Sequence, residues 1–349
     1  MKARIKNTKE SKICMSEKYN YIFRKSDGLF VRWGETREVD PLMAPAPEIA
    51  DIEVTTKCSG INGKPCPWCY KSNTENGTNM SFETFKNIID KFPPLTVQIA
   101  FGVDSKAESN PDLWKMMEYT RSRGIIPNIT VADITNETAD KLAKYCGAVA
   151  VSRYNDKNIC YDSIKKLLDR DINQVNIHQL ICSETYENAL ETIEDIVHDS
   201  RLKHMYSLVF LSLKQTGRGK HFTPLSKEKF KTLVEKSIDS DISFGFDSCS
   251  AAKFLSVVKN NPNFRSYEQC SEPCESSLFS VYINSDGKAY PCSFSENTPG
   301  WEDGIDMTKI VDFEREVWYD QRMIRFRKSL LTTPRTNDLG CRTCPLFKV

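Results

Sequence analysis

Three cysteines share one short loop that directly follows an extended run. The loop reads Cys58-Ser-Gly-Ile-Asn-Gly-Lys-Pro-Cys66-Pro-Trp-Cys69, and the run before it extends from Ile49 to Thr56. A [4Fe–4S] cluster held by three cysteines keeps one iron open to a ligand that is not protein. A zinc knuckle is the alternative, but it needs four ligands, and no histidine or fourth cysteine is close in sequence. The loop predicts a cluster with one vacant iron.

This loop resembles the signature of the radical SAM superfamily. In that family the vacant iron binds S-adenosylmethionine, an electron cleaves the sulfonium, and a 5'-deoxyadenosyl radical removes hydrogen from the substrate. The spacing departs from the family's commonest pattern, because seven residues rather than three separate Cys58 from Cys66. Gly60, Gly63 and Pro65 make this longer excursion easy for the backbone. The resemblance implies two cofactors, S-adenosylmethionine and a cluster bound by the three loop cysteines.

Composition argues against two classes of partner. The chain has 48 Lys and Arg against 47 Asp and Glu, so it lacks the basic excess that nucleic acid favours. No stretch approaches the roughly 20 apolar residues of a membrane span, and no secretory hydrophobic region follows the polar start. We expect a cytoplasmic protein with no nucleic-acid or membrane partner. Its 13 cysteines are better candidates for thiolate ligands than for disulfides.

Short β-type runs alternate with amphipathic stretches from residue 48 to about 220. The strand candidates are Ile49 to Thr56, Leu95 to Phe101, Ile126 to Ala132, Ala148 to Arg153, Gln174 to Cys182 and Tyr206 to Leu213. The helix candidates are Ser81 to Lys91, Pro111 to Gly124, Asn136 to Cys146, Tyr161 to Asp169 and Tyr186 to His198. This order predicts parallel βαβ units in an α/β fold.

An ordinary doubly wound fold is compatible with this periodicity. The cysteine loop after the first strand favours the open, partial (β/α)6 barrel of the radical SAM family, with ligands at the carboxyl ends of the strands. We expect three regions: an N-terminal hairpin extension at 1–47, the barrel at 48–235, and an auxiliary iron-sulfur domain at 236–349. The hairpin is predicted from two aromatic runs around the turn Lys25-Ser-Asp-Gly28.

The resemblance assigns six further residues to S-adenosylmethionine, namely Trp68, Gly102, Asp104, Ser152, Arg153 and His178. Trp68 matches a position whose backbone lies near adenine in the family. Gly102 and Asp104 follow the second strand, where the methionyl amine is received, although the acidic residue is displaced. A solvated loop aspartate is the alternative for Asp104, and a structural histidine on a strand is the alternative for His178.

A second group of cysteines begins after about residue 240. Cys274 is followed by a hairpin pattern, Leu278 to Ile283, the turn Asn284-Ser-Asp-Gly287, then Lys288 to Tyr290, and by Cys292. With Cys341 and Cys344 near the chain end, this group resembles the auxiliary-cluster module called twitch, a shortened relative of the SPASM domain. The resemblance implies a second [4Fe–4S] cluster held by these four cysteines.

Two features of this second group stay open. A structural zinc site is the alternative for its four thiolates, and Cys270 could replace Cys341 or Cys344 as a ligand. Cys249 follows an apparent strand, Ile242 to Phe246. A thiol has a weak S–H bond, so Cys249 could return a hydrogen atom to a substrate radical, although ligand and packing roles are the commoner ones.

The leading hypothesis is a radical SAM enzyme that abstracts hydrogen from a peptide or protein substrate, as peptide maturases do in epimerisation or crosslinking. The resemblance implies a flavodoxin- or ferredoxin-type electron donor. One alternative is a radical SAM dehydrogenase of a small molecule such as an aminocyclitol. Another is a non-catalytic iron-sulfur redox sensor, which would bind iron and fail to cleave S-adenosylmethionine.

Overall fold

A four-stranded antiparallel sheet lies at the N-terminal end of the chain. The structure is a computed structural model that describes residues 3–272, 274–332 and 344–346. The strands pair in chain order and are β1 (Arg4–Asn7), β2 (Ser11–Met15), β3 (Asn20–Arg24) and β4 (Phe30–Trp33). The predicted hairpin is confirmed as β3 and β4. β1 and β2 extend it, and β1 was missed because the run RIKN is polar and mostly exposed.

A larger, mostly parallel sheet forms the centre of the protein. Its first six strands are β5 (Ile49–Glu53), β6 (Gln98–Gly102), β7 (Ile126–Val131), β8 (Ala148–Ser152), β9 (Gln174–Ile181) and β10 (Ser207–Ser212). Each pairs in parallel with the next. The prediction of six parallel strands is confirmed. A short seventh strand, β11 (Phe244–Phe246), pairs in parallel with β10.

Helices connect these strands on one side of the sheet. They are α1 (Phe82–Asp90), α2 (Leu113–Ser122), α3 (Asn136–Tyr145), α4 (Lys157–Leu168), α5 (Tyr186–His198) and α6 (Lys227–Asp239). The Ser81 hydroxyl caps α1 by accepting the Thr84 N–H at 3.1 Å. α4 begins four residues before its predicted start, because Asp156 caps it by accepting the Asn158 N–H at 3.0 Å. No helix in the described ranges is long and apolar enough to cross a membrane.

Strand alternation separates a helix-facing side from a concave side. On β5, Ala50 and Ile52 are fully buried in the main hydrophobic core, together with Phe85 of α1. Asp51 and Glu53 alternate with them and point to the opposite, concave side. Because the six strands are parallel, their carboxyl ends lie along one edge of the sheet. The three-cysteine loop follows β5 at that edge.

The C-terminal region extends the same sheet. After α7 (Ala251–Val258) and α8 (Phe264–Gln269), the strands β12 (Ser280–Ile283) and β13 (Lys288–Tyr290) form the predicted hairpin. β12 also pairs in parallel with β5, and β13 pairs with β14 (Ile305–Asp306). The final helix is α9 (Gln321–Thr332). The barrel strands and the C-terminal hairpin are therefore parts of one hydrogen-bonded sheet.

Candidate functional site

The long spacing between Cys58 and Cys66 is absorbed by a small hairpin inside the loop. Ile61 and Lys64 exchange backbone hydrogen bonds of 3.1 and 3.0 Å. Between them lie Asn62 and Gly63, whose φ angles are 52° and 70°. Two positive φ angles define the type I′ turn that closes two-residue hairpins. The four extra residues thus fold back on themselves.

Gly60 is the residue directly before this small hairpin. Its φ is 69°, and a β-carbon there would lie 2.0 Å from the Lys64 carbonyl oxygen. The Gly60 carbonyl accepts a hydrogen bond from the Ser105 hydroxyl at 2.6 Å. Only glycine allows this close approach of two backbone segments. The turn is thereby fixed to the loop that follows β6.

An aromatic pair covers the cysteines. The Tyr154 hydroxyl hydrogen-bonds the Cys66 thiol and also interacts electrostatically with the Cys58 and Cys69 thiols. The Trp68 ring stacks on Tyr154, with centroids 5.7 Å apart and planes 13° apart. Burial raises the pKa of the Cys66 thiol to about 12. A buried thiol with this pKa stays protonated until a metal replaces its proton.

The loop after β10 binds the cysteine loop through hydrogen bonds and a close backbone approach. Arg218 Nε donates to the Cys66 carbonyl at 2.8 Å, and its Nη1 donates to the Asn73 carbonyl at 3.1 Å. The Arg218 backbone N–H donates to the Cys69 carbonyl at 3.0 Å. A β-carbon on Gly217 would lie 2.2 Å from the Tyr70 carbonyl oxygen. The two loops are therefore in direct backbone contact.

Two of the residues predicted at the cofactor end their strands at the carboxyl edge, and a third lies beside one of them within β9. Gly102 ends β6, and a β-carbon there would be 3.0 Å from the Glu53 Cα. Ser152 ends β8 and is paired with His178 on β9. Burial lowers the pKa of His178 to about 4, with Asp247 opposing the shift, so the imidazole is neutral at pH 7. These positions are compatible with cofactor binding, which stays a prediction.

The two charged candidates are engaged within the protein. The Asp104 carboxylate is buried and accepts the backbone N–H groups of Lys106, Glu108 and Ser109 at 3.0 to 3.2 Å, so it organises its own loop. Arg153 is 3% exposed, and its Nη2 donates to Glu191 of α5 at 2.9 Å. Its Nε and Nη1 have no hydrogen-bond partner among the described residues. The cofactor roles of both residues stay predictions.

A buried charged network joins the cysteine loop to the C-terminal hairpin. Lys71 Nζ lies 3.3 Å from Glu53 Oε2, pairs with Glu296, and donates to the Tyr282 hydroxyl at 2.8 Å. Asn284 donates to the same Glu296 carboxylate at 2.7 Å. The sequence did not single out any of these residues. Glu53, Lys71, Asn284 and Glu296 border a cavity of about 600 Å³ that lies between the cysteine loop, the loop after β10 and the turn of the hairpin.

A second cavity, of about 170 Å³, collects four cysteines from four separate segments, namely Cys249, Cys274, Cys292 and Cys344. We call it the auxiliary cavity. Burial raises the pKa of Cys249 and Cys292 to about 12. Cys270 is exposed at the end of α8 and is not one of the residues that line the cavity. The fourth predicted ligand, Cys341, lies outside the described residues.

Single-ion geometry is not found in either cysteine region. Within residues 3–272, 274–332 and 344–346, no three His, Cys, Asp or Glu side chains are arranged to hold one metal ion. What the structure shows is a loop with three half-buried thiols under Tyr154 and a separate cavity lined by four.

Comparison with known proteins gives one domain match and a set of structural matches. Residues 274–345 match SPASM, an iron-sulfur cluster-binding domain, which confirms the predicted module. Streptococcus suis SuiB bound to its precursor peptide SuiA is similar in fold, with a TM-score of 0.70 and 13% identity, over 96% of this chain and 92% of that one. A second SuiB structure has a TM-score of 0.69 and 12% identity, over 96% and 93%.

A third structure, SuiB bound to S-adenosylmethionine, matches with a TM-score of 0.63 and 14% identity, over 85% of this chain and 70% of that one. A search of curated proteins by sequence found no match. The matched region begins at Cys274 and includes the hairpin, Cys292 and Cys344, so it supplies three of the four cysteines of the auxiliary cavity. The chain has the fold of SuiB and carries a SPASM-type iron-sulfur cluster-binding domain at residues 274–345.

Proposed function

We propose that this protein is a radical SAM enzyme that cleaves S-adenosylmethionine and abstracts hydrogen from a peptide substrate. One observation carries the proposal: the fold matches, over 96% of the chain, that of SuiB solved with its precursor peptide. The three loop cysteines support it, because they lie at the carboxyl edge of the sheet, where such folds bind ligands. Epimerisation and crosslinking are two types of peptide modification that this proposal covers.

The residues of the first loop fit a cluster ligand set. Cys58, Cys66 and Cys69 supply three thiolates, and a cluster bound by them would supply the electron that cleaves the sulfonium of S-adenosylmethionine. Tyr154 hydrogen-bonds the Cys66 thiol, and Trp68 stacks on the Tyr154 ring. Arg218 fixes the carbonyl of Cys66, and so the position of its side chain. A flavodoxin- or ferredoxin-type protein would be the electron donor.

The 600 Å³ cavity is our candidate for the substrate region. Its volume is within the range of ordinary ligand sites, about 300 to 1,000 Å³. Lys71, Glu296 and Asn284 line it, and they offer both donors and acceptors to a peptide backbone. The cavity also touches Tyr70 of the cysteine loop and Ser293, next to Cys292. A peptide bound there would lie between the two cysteine regions.

The decisive experiment measures cleavage of S-adenosylmethionine. The protein is reconstituted anaerobically with iron and sulfide, reduced with dithionite, and incubated with S-adenosylmethionine, and 5'-deoxyadenosine is quantified. We expect formation of 5'-deoxyadenosine by the wild type and its loss when Cys58, Cys66 and Cys69 are replaced by Ala. Cys182→Ala is the matched control, because Cys182 is a buried cysteine that lies directly after β9, outside the three-cysteine loop.

Two results would contradict the proposal. Full cleavage by the triple variant would show that the first loop is not the reactive site. Iron binding without any 5'-deoxyadenosine in the wild type would favour the redox-sensor alternative. The substrate class is tested separately, by adding the product of a short open reading frame encoded beside the gene and measuring its mass change. Turnover of an aminocyclitol and no change in peptides would favour the small-molecule dehydrogenase.

A further inference from the structure

The position of Cys249 sets it apart from the other cysteines outside the predicted ligand set. Cys14, Cys146 and Cys160 are buried in the hydrophobic core, and Cys182 is buried beside the Thr185 hydroxyl. Cys249 instead lies on the short turn Ser248–Ser250, directly after β11, and lines the auxiliary cavity. Among the described residues, it is thus the one cysteine outside the SPASM match at 274–345 that lines this cavity.

The turn that carries Cys249 is held firmly by the last barrel strands. The Asp247 N–H donates to the Phe210 carbonyl at 3.0 Å, and the Ser250 N–H donates to the Asp247 carbonyl at 2.8 Å. The hydroxyls of Ser250 and Ser212 are 2.6 Å apart. Lys214 Nζ donates to Asp247 Oδ2 at 2.8 Å. These contacts fix the turn before any metal binds, so the direction of the Cys249 side chain is set by the fold.

The Cys249 thiol interacts electrostatically with two of the SPASM cysteines. Its thiol interacts with the thiols of Cys274 and Cys344, and the Cys292 thiol interacts with the same two. Lys214, 5% exposed, lies beside the thiols of Cys249 and Cys344. An anionic cluster would therefore find a cationic neighbour already in place.

We propose that Cys249 is a protein ligand of the auxiliary [4Fe–4S] cluster, together with Cys274, Cys292 and Cys344. Four irons take four thiolates, and the described residues supply four at one cavity. On binding, the thiol proton is released and an iron–sulfur bond forms, with no change in oxidation state. A coordinated thiolate has no S–H bond, so this role excludes hydrogen donation to a substrate radical. The inference rests on the proposed function only in taking the SPASM site as an iron-sulfur site.

The test uses the full chain with the first site removed, so that the remaining iron reports on the auxiliary site. In the Cys58→Ala, Cys66→Ala, Cys69→Ala background we expect about four irons per chain after reconstitution. Adding Cys249→Ser should lower this to about three or fewer and change the electron paramagnetic resonance spectrum. Adding Cys270→Ser, the exposed control, should leave about four irons and the same spectrum.

A second variant separates ligation from packing. Cys249→Asp keeps an anionic ligand, so we expect it to retain about four irons with an altered resonance spectrum. A cysteine that only fills space would instead tolerate Ser better than the larger, charged Asp. Circular dichroism and thermal unfolding of the proteins before reconstitution check that each variant folds.

The inference is overturned if Cys249→Ser, in the same background, keeps about four irons and an unchanged resonance spectrum. Loss of the auxiliary cluster in Cys341→Ser would then identify Cys341 as the fourth ligand instead. If Cys249→Ser in the otherwise wild-type chain also forms 5'-deoxyadenosine but stalls before product, hydrogen donation is the better explanation. Failure of the proposed function has a different signature: the full wild-type chain would bind iron at the auxiliary cavity and form no 5'-deoxyadenosine. The two hypotheses can therefore fail independently.

Discussion

The Tyr282 hydroxyl donates a hydrogen bond of 3.0 Å to Glu53 Oε2, although the two residues are 229 positions apart. Glu53 is the last residue of β5, and Tyr282 lies on β12. Both side chains are buried, and burial raises the pKa of the Glu53 carboxyl, with Lys71 opposing the shift. The bond thus connects the strand that leads to the first cysteine loop with the hairpin of the SPASM-type domain.

Removing this hydroxyl should weaken the connection. We expect Tyr282→Phe to lower the free energy of unfolding by about 1 to 3 kcal/mol, because a buried carboxylate loses a hydrogen-bond donor. Denaturant unfolding under anaerobic conditions measures the change. Tyr206→Phe is the control, since Tyr206 is 55% exposed, and it should change stability by less than about 0.5 kcal/mol. Equal stability of the two variants would show that the Glu53 carboxylate finds another donor.

Two glycines of the cysteine loop offer a matched pair of substitutions. Both have positive φ, but a β-carbon on Gly60 would meet the Lys64 carbonyl at 2.0 Å, whereas one on Gly63 would meet nothing within 4 Å. We expect Gly63→Ala to cost only about 1 kcal/mol and to keep both clusters. Gly60→Ala should displace the loop and remove the first cluster, about four of eight irons. Iron analysis after reconstitution decides, and full iron content in Gly60→Ala would contradict the loop geometry.

Arg218 should control how firmly the first cluster is retained. Its side chain donates to the carbonyls of Cys66 and Asn73, and hydrogen bonds from a charged group contribute about 1.5 to 3 kcal/mol. We expect Arg218→Gln to speed the loss of iron from the first site to a chelator by about tenfold or more. Lys220→Gln, an exposed change on the same loop, should lose iron at the wild-type rate. Identical rates of iron loss from the two variants would mean that the Arg218 hydrogen bonds do not stabilise the cysteine loop.

We expect His178 to lower the free energy of unfolding as the pH falls. Its pKa is lowered to about 4 by burial, against 6.5 in the unfolded chain, so the unfolded state binds more protons between these values. Its contribution to stability is therefore present above pH 6.5 and is lost as the pH falls toward 4. Between pH 7.5 and 5.5 we expect wild type to lose about 1 kcal/mol more than His178→Gln. Denaturant titrations at both pH values measure this difference, and parallel losses would show an unshifted histidine.

Local patterns in the sequence predicted the barrel well. The strand from Gln174 to Cys182 and the helix from Tyr186 to His198 match β9 and α5 within one residue, because their apolar periods are regular and their ends carry turn residues. The turn residues Asn284-Ser-Asp-Gly287 likewise predicted the position of the β12–β13 hairpin. In β1, by contrast, no apolar period exists, and its strand geometry comes from pairing with β2.

The details of the site come from contacts that periodicity does not encode. Tyr154 and Arg218 reach the cysteine loop from strand-to-helix connections that are distant in sequence. The position of Asp104 after a strand predicts a cofactor ligand, but not that its carboxylate accepts three amide N–H groups of its own loop. Cys249 meets the SPASM cysteines only because β11 ends next to them. Such convergence depends on tertiary packing, which no spacing rule contains.

The parallel pairing of β12 with β5 has a mechanical consequence. β5 ends five residues before Cys58, and the hairpin that begins with β12 is flanked by Cys274 and Cys292. A change in the separation of the two cysteine regions would have to break a ladder of backbone hydrogen bonds. An electron that passed between clusters at these sites would cross a gap of constant width, whatever peptide occupied the cavity between them. Pulsed dipolar spectroscopy of the two reduced clusters should accordingly give one narrow distance distribution, unaltered by added peptide.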